Sequence, residues 1–202
     1  MRKILLVGLA AMIVAVGGCA REAGGAADAA PEAGGTPGVE GCATPPSPPE
    51  SVVTAGATMY PESDELSEAL GSIQQAGEST FRDVFAGLET VPEQGYVIVY
   101  RLPSARFDAY VRDVAAGQCV LLRDAAHSAA ELSALQDRIT DDMDYWRTRG
   151  VDVNAVGPRH DGSGVVVSTL AVARARAELP KRYGTAIPII IEQGGPVELL
   201  GG

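Results

Sequence analysis

The sequence predicts an α+β protein built from two tandem αββαβ units. Each unit is a three-stranded sheet covered by two helices, and both follow a signal peptide and a disordered linker. Three observations carry this expectation. Ser128 to Gly150 reads as one long amphipathic helix, with Ala129, Leu132, Leu135, Ile139, Met143 and Trp146 on one apolar stripe. The strand and helix signals after it repeat the order of those before it. Two strand anchors also superpose at nearly one offset. Gly95-Tyr96-Val97-Ile98-Val99 falls on Gly164-Val165-Val166-Val167-Ser168 at 69, and Cys119 to Asp124 falls on Ile187 to Glu192 at 68. A shared offset and element order point to duplication of one supersecondary unit.

Residues 1–18 form the targeting segment. Arg2 and Lys3 precede an apolar run from Ile4 to Val16, then Gly17, Gly18 and Cys19. A charged start, a short apolar run and small residues before a cut site make a secretory signal, and the run is too short to remain as a spanning helix. Val16-Gly17-Gly18-Cys19 resembles the bacterial lipobox. That resemblance implies lipidation of the Cys19 thiol and a mature protein held by its acyl chains on the extracytoplasmic face of the cell membrane.

Residues 19–60 are rich in Gly, Ala and Pro, including Pro45-Pro46-Ser47-Pro48-Pro49. Too few bulky apolar groups are present to offset the entropy of ordering, so a disordered linker is expected. Some 40 such residues would reach ~35 Å as a coil.

The first unit is assigned to 61–126. Ser63 can cap a helix carrying Leu66, Leu70, Ile73 and Phe81, which Gly71 and Gly77 weaken. Val84 to Glu89 reads as a strand, Pro92 to Gly95 as a turn, and Tyr96 to Leu102 as a strong β-branched and aromatic strand. Pro103 and Ser104 start a helix with Phe107, Tyr110, Val111 and Val114 on one face; Gly117 ends it, and Cys119 to Leu122 is a buried strand.

The second unit is assigned to 127–195, with a tail at 196–202. Ser128 and Glu131 form a capping box, and Gly150 stops the long helix. Strands are expected at Val151 to Val156, Val165 to Leu170 and Ile187 to Ile191. Asp161-Gly162 marks the hairpin between the first two. Ala171 to Leu179 reads as a helix that Pro180 kinks or ends, and Pro188 places the last strand at an edge or at a strand start.

Charge narrows the function classes. The 16 Lys and Arg stand against 26 Asp and Glu, a formal charge of −10. Loss of Arg2 and Lys3 with the signal leaves 14 bases and 26 acids, or −12. Nucleic-acid binding needs the opposite balance. An acidic body also gains nothing from anionic headgroups, so the lipid must anchor it. If Cys19 is acylated, Cys42 and Cys119 remain as a candidate disulfide in an oxidising compartment. The alternative is a buried Cys119 beside a free linker thiol.

Two resemblances follow from these residues. Phe85-Ala86-Gly87, Tyr96 to Tyr100, Val120-Leu121-Leu122-Arg123 and His127-Ser128 with Glu131-Leu132 resemble the pro-regions of secreted serine proteases of the α-lytic protease and streptogrisin type. That family implies a folding chaperone and inhibitor of its own protease. No protease domain follows Gly202 in this sequence, so a free-standing inhibitor or chaperone stands as an alternative. Topology and the glycines Gly95 and Gly164 also resemble BON-type envelope domains, which implies phospholipid or envelope binding.

No catalytic constellation emerges. His160-Asp161-Gly162-Ser163 lies too close along a turn to seat an imidazole between carboxylate and hydroxyl. His127 precedes a cap residue and is assigned a structural role. Asp141, Asp142 and Asp144 read as the solvated face of the long helix rather than a calcium loop. Trp146 belongs to the apolar stripe. No residue spacing suggests a metal or cofactor. The expectation is a non-enzymatic, lipid-anchored binding module that engages a protein partner in the envelope or a secreted one.

Overall fold

The computed structural model describes Cys42 and residues 50–196. The expected signal peptide with Cys19, most of the expected linker, and residues 197–202 lie outside the described residues.

The end of the expected linker is not irregular. Val52–Thr54 (β1) and Ala57–Met59 (β2) pair antiparallel as a hairpin. Ala55 and Gly56 join them at φ 51° and 83°, and two left-handed central residues match the right-handed twist of the flanking strands.

The first unit follows the expected order. Ser63 caps α1 (Asp64–Glu78) by accepting from the Leu66 N–H at 3.2 Å. Gly77 lies against the Phe85 ring, where a side chain would collide. The glycine that weakens the helix is therefore what lets it sit close on the sheet. Phe81 lies beyond the helix, in the turn after it, yet packs into the core. β3 (Phe85–Val91) and β4 (Tyr96–Arg101) pair antiparallel, joined by a 3-10 turn at Pro92–Gln94 and by Gly95 at φ 69°. Ser104 caps α2 (Ala105–Val114), which carries the chain back to β5 (Val120–Asp124), parallel to β4. Ile73, Phe85, Val97, Val99, Phe107 and Val111 form the core between the two helices and one sheet face.

The second unit is α3 (Ala129–Asp141), α4 (Met143–Thr148), β6 (Ala155–Pro158), β7 (Val165–Thr169), α5 (Val172–Tyr183) and β8 (Ile189–Gln193). Its sheet has the order β6-β7-β8, as the first has β3-β4-β5, with one antiparallel and one parallel pairing in each. Leu132, Ile139, Trp146, Val165, Val167 and Leu179 build its core. The αββαβ duplication is thus present in the backbone.

Three local boundaries fall elsewhere than expected, each for an identifiable reason. The long helix breaks at Asp142, whose backbone (φ −91°, ψ 8°) leaves the helical range. Its carboxylate is held by Arg182 and Tyr183 of α5, and the break turns Trp146 into the core. Val151 is not in the strand: its N–H bonds back to the Trp146 carbonyl at 3.0 Å, so strand pairing starts only where Asn154 N–H reaches the Ser168 carbonyl. Helix α5 continues through Pro180 to Tyr183, because the lost N–H falls in the final turn, closed by Gly184 N–H on the Pro180 carbonyl. The edge position that Pro188 predicts is present: β8 lies at the sheet edge, although it starts one residue after Pro188 instead of at Ile187.

The repeat offsets also exchange places. Leu88 opposite Val99 corresponds to Val156 opposite Val167, a displacement of 68 for both strands. Val97 opposite Val120 corresponds to Val165 opposite Ile189, which makes the last strand's displacement 69. An offset of 69 for the central strand would put Val97 on Val166 and swap core and outer faces, since side chains alternate along a strand.

The two units meet where β3 begins and β5 ends. The 159–164 turn of the second sheet packs there: Gly162 lies against Ala86, Ala125 and the His127 carbonyl, and Gly87 lies against the His160 carbonyl. His127 N–H donates to the Gly162 carbonyl at 3.2 Å.

Candidate functional site

β5 is an edge strand. Among the described residues no strand pairs on its outer side. Val97 N–H bonds to the Cys119 carbonyl and Ala125 N–H to the Arg101 carbonyl. Main-chain direction alternates along a strand, so Val120, Leu122 and Asp124 turn their N–H and C=O groups away from β4. A groove of about 490 Å³ runs beside them, lined by Val111, Arg112, Ala115, Ala116, Gly117, Gln118, Val120 and Leu122. An unpaired edge over an apolar groove is the geometry that accepts an added strand.

Both ends of this strand are clamped. At its start, Cys119 is disulfide-bonded to Cys42, with the Cα atoms 5.2 Å apart. At its finish, Asp124 pairs with the Arg101 guanidinium. Arg101 is itself buried and holds Asp108 of α2 through Nε at 2.6 Å and Nη2 at 3.1 Å. These bonds, that from Asp108 first, push the Arg101 pKa up against the opposing effect of burial. A strand fixed at both ends loses little freedom when a partner pairs with it.

The equivalent edge in the second unit is filled at one point and capped at another. Tyr183 stands at the position of Ala115, displaced by the same 68 as the paired strands, and its ring packs into the second core. The outward carbonyl of Ile191, counterpart of Leu122, accepts from Arg176 Nη2 at 3.3 Å. The first unit is open at two points where its sister is filled and capped. Neither difference has a local sequence signal; both emerge only once the two sheets are superposed.

The other residues considered for chemistry are placed elsewhere. His160 sits at the junction between the units, with its ring edge-on to Tyr100 (centroids 5.8 Å apart) and Nε2 3.6 Å from Glu89. Tyr100 donates to Glu89 at 2.6 Å, and burial first, then that carboxylate, raises its pKa to about 12. His127 makes its contact through backbone. Asp161 accepts the Ser163 N–H, an Asx turn. No hydroxyl, imidazole and carboxylate are brought together as a nucleophilic set in this turn.

Asp142 departs from the expected solvated face. Arg182 binds it through two hydrogen bonds of 2.6 and 2.7 Å, and Tyr183 donates to it at 2.8 Å. Arg182 first and Tyr183 second hold its carboxyl down to about 2. The Tyr183 hydroxyl in turn accepts from Trp146 Nε1 at 2.7 Å. Among the described residues no group of three or more His, Cys, Asp or Glu could hold a metal, and no helix is long and apolar enough to cross a membrane. Comparison of the chain with protein-family models, curated proteins and solved structures finds no match to any of them.

Proposed function

We propose that this chain is a non-enzymatic binding module, held by lipid on Cys19 at the extracytoplasmic face of the cell membrane. It engages an envelope or secreted protein by strand addition to β5. The observation that carries this reading is the β5 edge itself: clamped at both ends, unpaired along its outer side among the described residues, and bordered by a groove. Main-chain hydrogen bonds along such an edge supply affinity, and side chains of the added segment entering the groove supply selectivity.

Site-specific photo-crosslinking in intact cells tests it. The photoreactive residue is placed by Gln118→p-benzoylphenylalanine in the groove, and by Gln193→p-benzoylphenylalanine on the partly capped β8 edge as a control. A discrete protein adduct from position 118 and none from 193 is the expected result. Equal adducts from both positions, or none from 118, would remove the proposal. Mass measurement of the mature N-terminus tests the anchor separately; an unacylated Cys19 would remove that part alone.

A further inference from the structure

The acidity of this chain is unevenly distributed. Residues 61–126 contain 5 bases and 11 acids, whereas residues 127–195 contain 8 bases and 9 acids. Within the second unit, bases from α4 and α5 converge. Arg174 Nη1 donates to the Arg149 carbonyl at 2.8 Å and lies over Gly150, where a side chain would collide with it. Arg149 and Arg182 both stack on Tyr145, with guanidinium carbons 4.3 and 3.9 Å from the ring centroid. Lys181 binds Glu178 at 2.8 Å. Lys181 first, with Arg149 and Arg174 further off, holds Glu178 below the usual carboxylate range. Arg149, Arg174, Lys181 and Arg182 thus share one face with Glu178 and Asp142, while Arg147 and Asp152, paired at 3.8 Å, line a second cleft with Leu170. Beside Arg174 stands Leu170, 66% exposed and lining a cleft with it.

We infer that this α4–α5 face of the second unit docks on an anionic lipid bilayer, with Leu170 entering the interface and Arg149, Arg174, Lys181 and Arg182 meeting headgroups. Whole-chain charge argues against such contact, but charge placement reverses that conclusion. At physiological salt exposed charges more than ~8 Å away are largely screened, so the local excess of cations governs the face. Long basic side chains around a protruding aliphatic suit a bilayer interface better than a smooth acidic protein surface, because their stems lie in the apolar margin while their heads stay wet. Only 23 positions separate Cys19 from Cys42, the point at which the disulfide joins the chain to the first sheet. An acyl anchor at Cys19 would therefore hold the folded region on a short tether, at a high effective concentration beside the bilayer. The inference does not depend on strand addition at β5.

Each cation near an anionic surface is worth roughly five-fold in affinity. The full chain is reconstituted into vesicles of phosphatidylglycerol or of phosphatidylcholine, and amide exchange is followed at 147–150 and 170–174. The expected result is at least ten-fold slower exchange there with phosphatidylglycerol only, abolished by Arg174→Glu with Lys181→Glu and reduced by Leu170→Ser. Equal protection in both lipids, or none in either, would overturn the inference. So would the same protection produced without lipid by soluble polyglutamate, which would assign the face to an acidic polymer. All three substituted side chains are exposed, and an unchanged exchange rate at Val97 and Val165 confirms that each variant is folded.

Discussion

Replacement of Tyr183 by Phe removes one oxygen from the second core and tests the network that breaks the long helix. The Trp146 side chain is buried, with the residue 1% exposed, and its Nε1 finds the Tyr183 hydroxyl at 2.7 Å. The same hydroxyl donates to Asp142 at 2.8 Å. Burial, ahead of its hydrogen-bond partners, raises the Tyr183 pKa to about 12, so it remains a donor at any ordinary pH. In Tyr183→Phe the indole N–H is left buried without an acceptor, which costs ~1–3 kcal/mol. The lost bond to a charged acceptor adds ~1.5 kcal/mol, at the low end because Arg182 still holds Asp142. The expected loss is ~3 kcal/mol, read by urea unfolding at pH 7 followed by far-ultraviolet circular dichroism. Trp146→Phe deletes the donor as well as indole volume, so in the double variant no N–H is orphaned. The two losses should then fall short of additivity by at least ~1 kcal/mol. A single-variant loss under ~0.5 kcal/mol, or strict additivity, would refute the reasoning.

The remaining predictions concern the clamps, the junction and pH. Asp142 has a folded pKa near 2 against an ordinary 3.8, so its contribution is fully present above the unfolded value and is lost as pH falls through 2. Thermal unfolding between pH 5 and pH 2 should therefore decline less steeply in Asp142→Asn than in the parent chain. Cys42 and Cys119 are 77 positions apart. The chain-entropy account gives a loss of up to ~4.5 kcal/mol when Cys42→Ser and Cys119→Ser remove the bridge, measured by denaturant unfolding without reductant. Arg101→Met leaves Asp108, with 16% of its side chain exposed, facing no cation among its present partners. A loss of ~3 kcal/mol is expected, and the double variant with Asp108→Leu should recover most of it. Gly87→Ala drives a methyl into the His160 carbonyl at the junction, and ~1–3 kcal/mol should be lost by the same measurement.

Much of the architecture was legible because it is written in short-range patterns. Apolar period, Ser63, Ser104 and Ser128 as caps, and glycines at the turns gave the order αββαβ twice, and the structure contains that order. What escaped were boundaries settled by distant partners. Met143 and Trp146 continue the stripe of α3, so nothing local announces a break at Asp142, the residue that Arg182, 40 positions away, holds. Val151 looks like a strand residue and is apolar enough to be one, but its N–H is taken by the helix before it. The hairpin at 52–59 lies in a segment whose composition reads as linker, because two three-residue strands present too few apolar groups to stand out.

By itself the sequence determined the α+β class and the order of elements in the tandem repeat. These depend on composition and on neighbours within a few positions, where covalent spacing fixes which side chains share a face. Only tertiary structure decided which sheet edge stays open, which cations gather on one face, and which residue of each repeat corresponds to which. Those properties join residues tens of positions apart: Ala115 against Tyr183, Leu122 against Ile191 with Arg176, and Arg149 with Arg174 and Arg182. A one-residue register shift exchanges the two faces of a strand, and low identity between the halves leaves that shift invisible until hydrogen bonds fix the pairing.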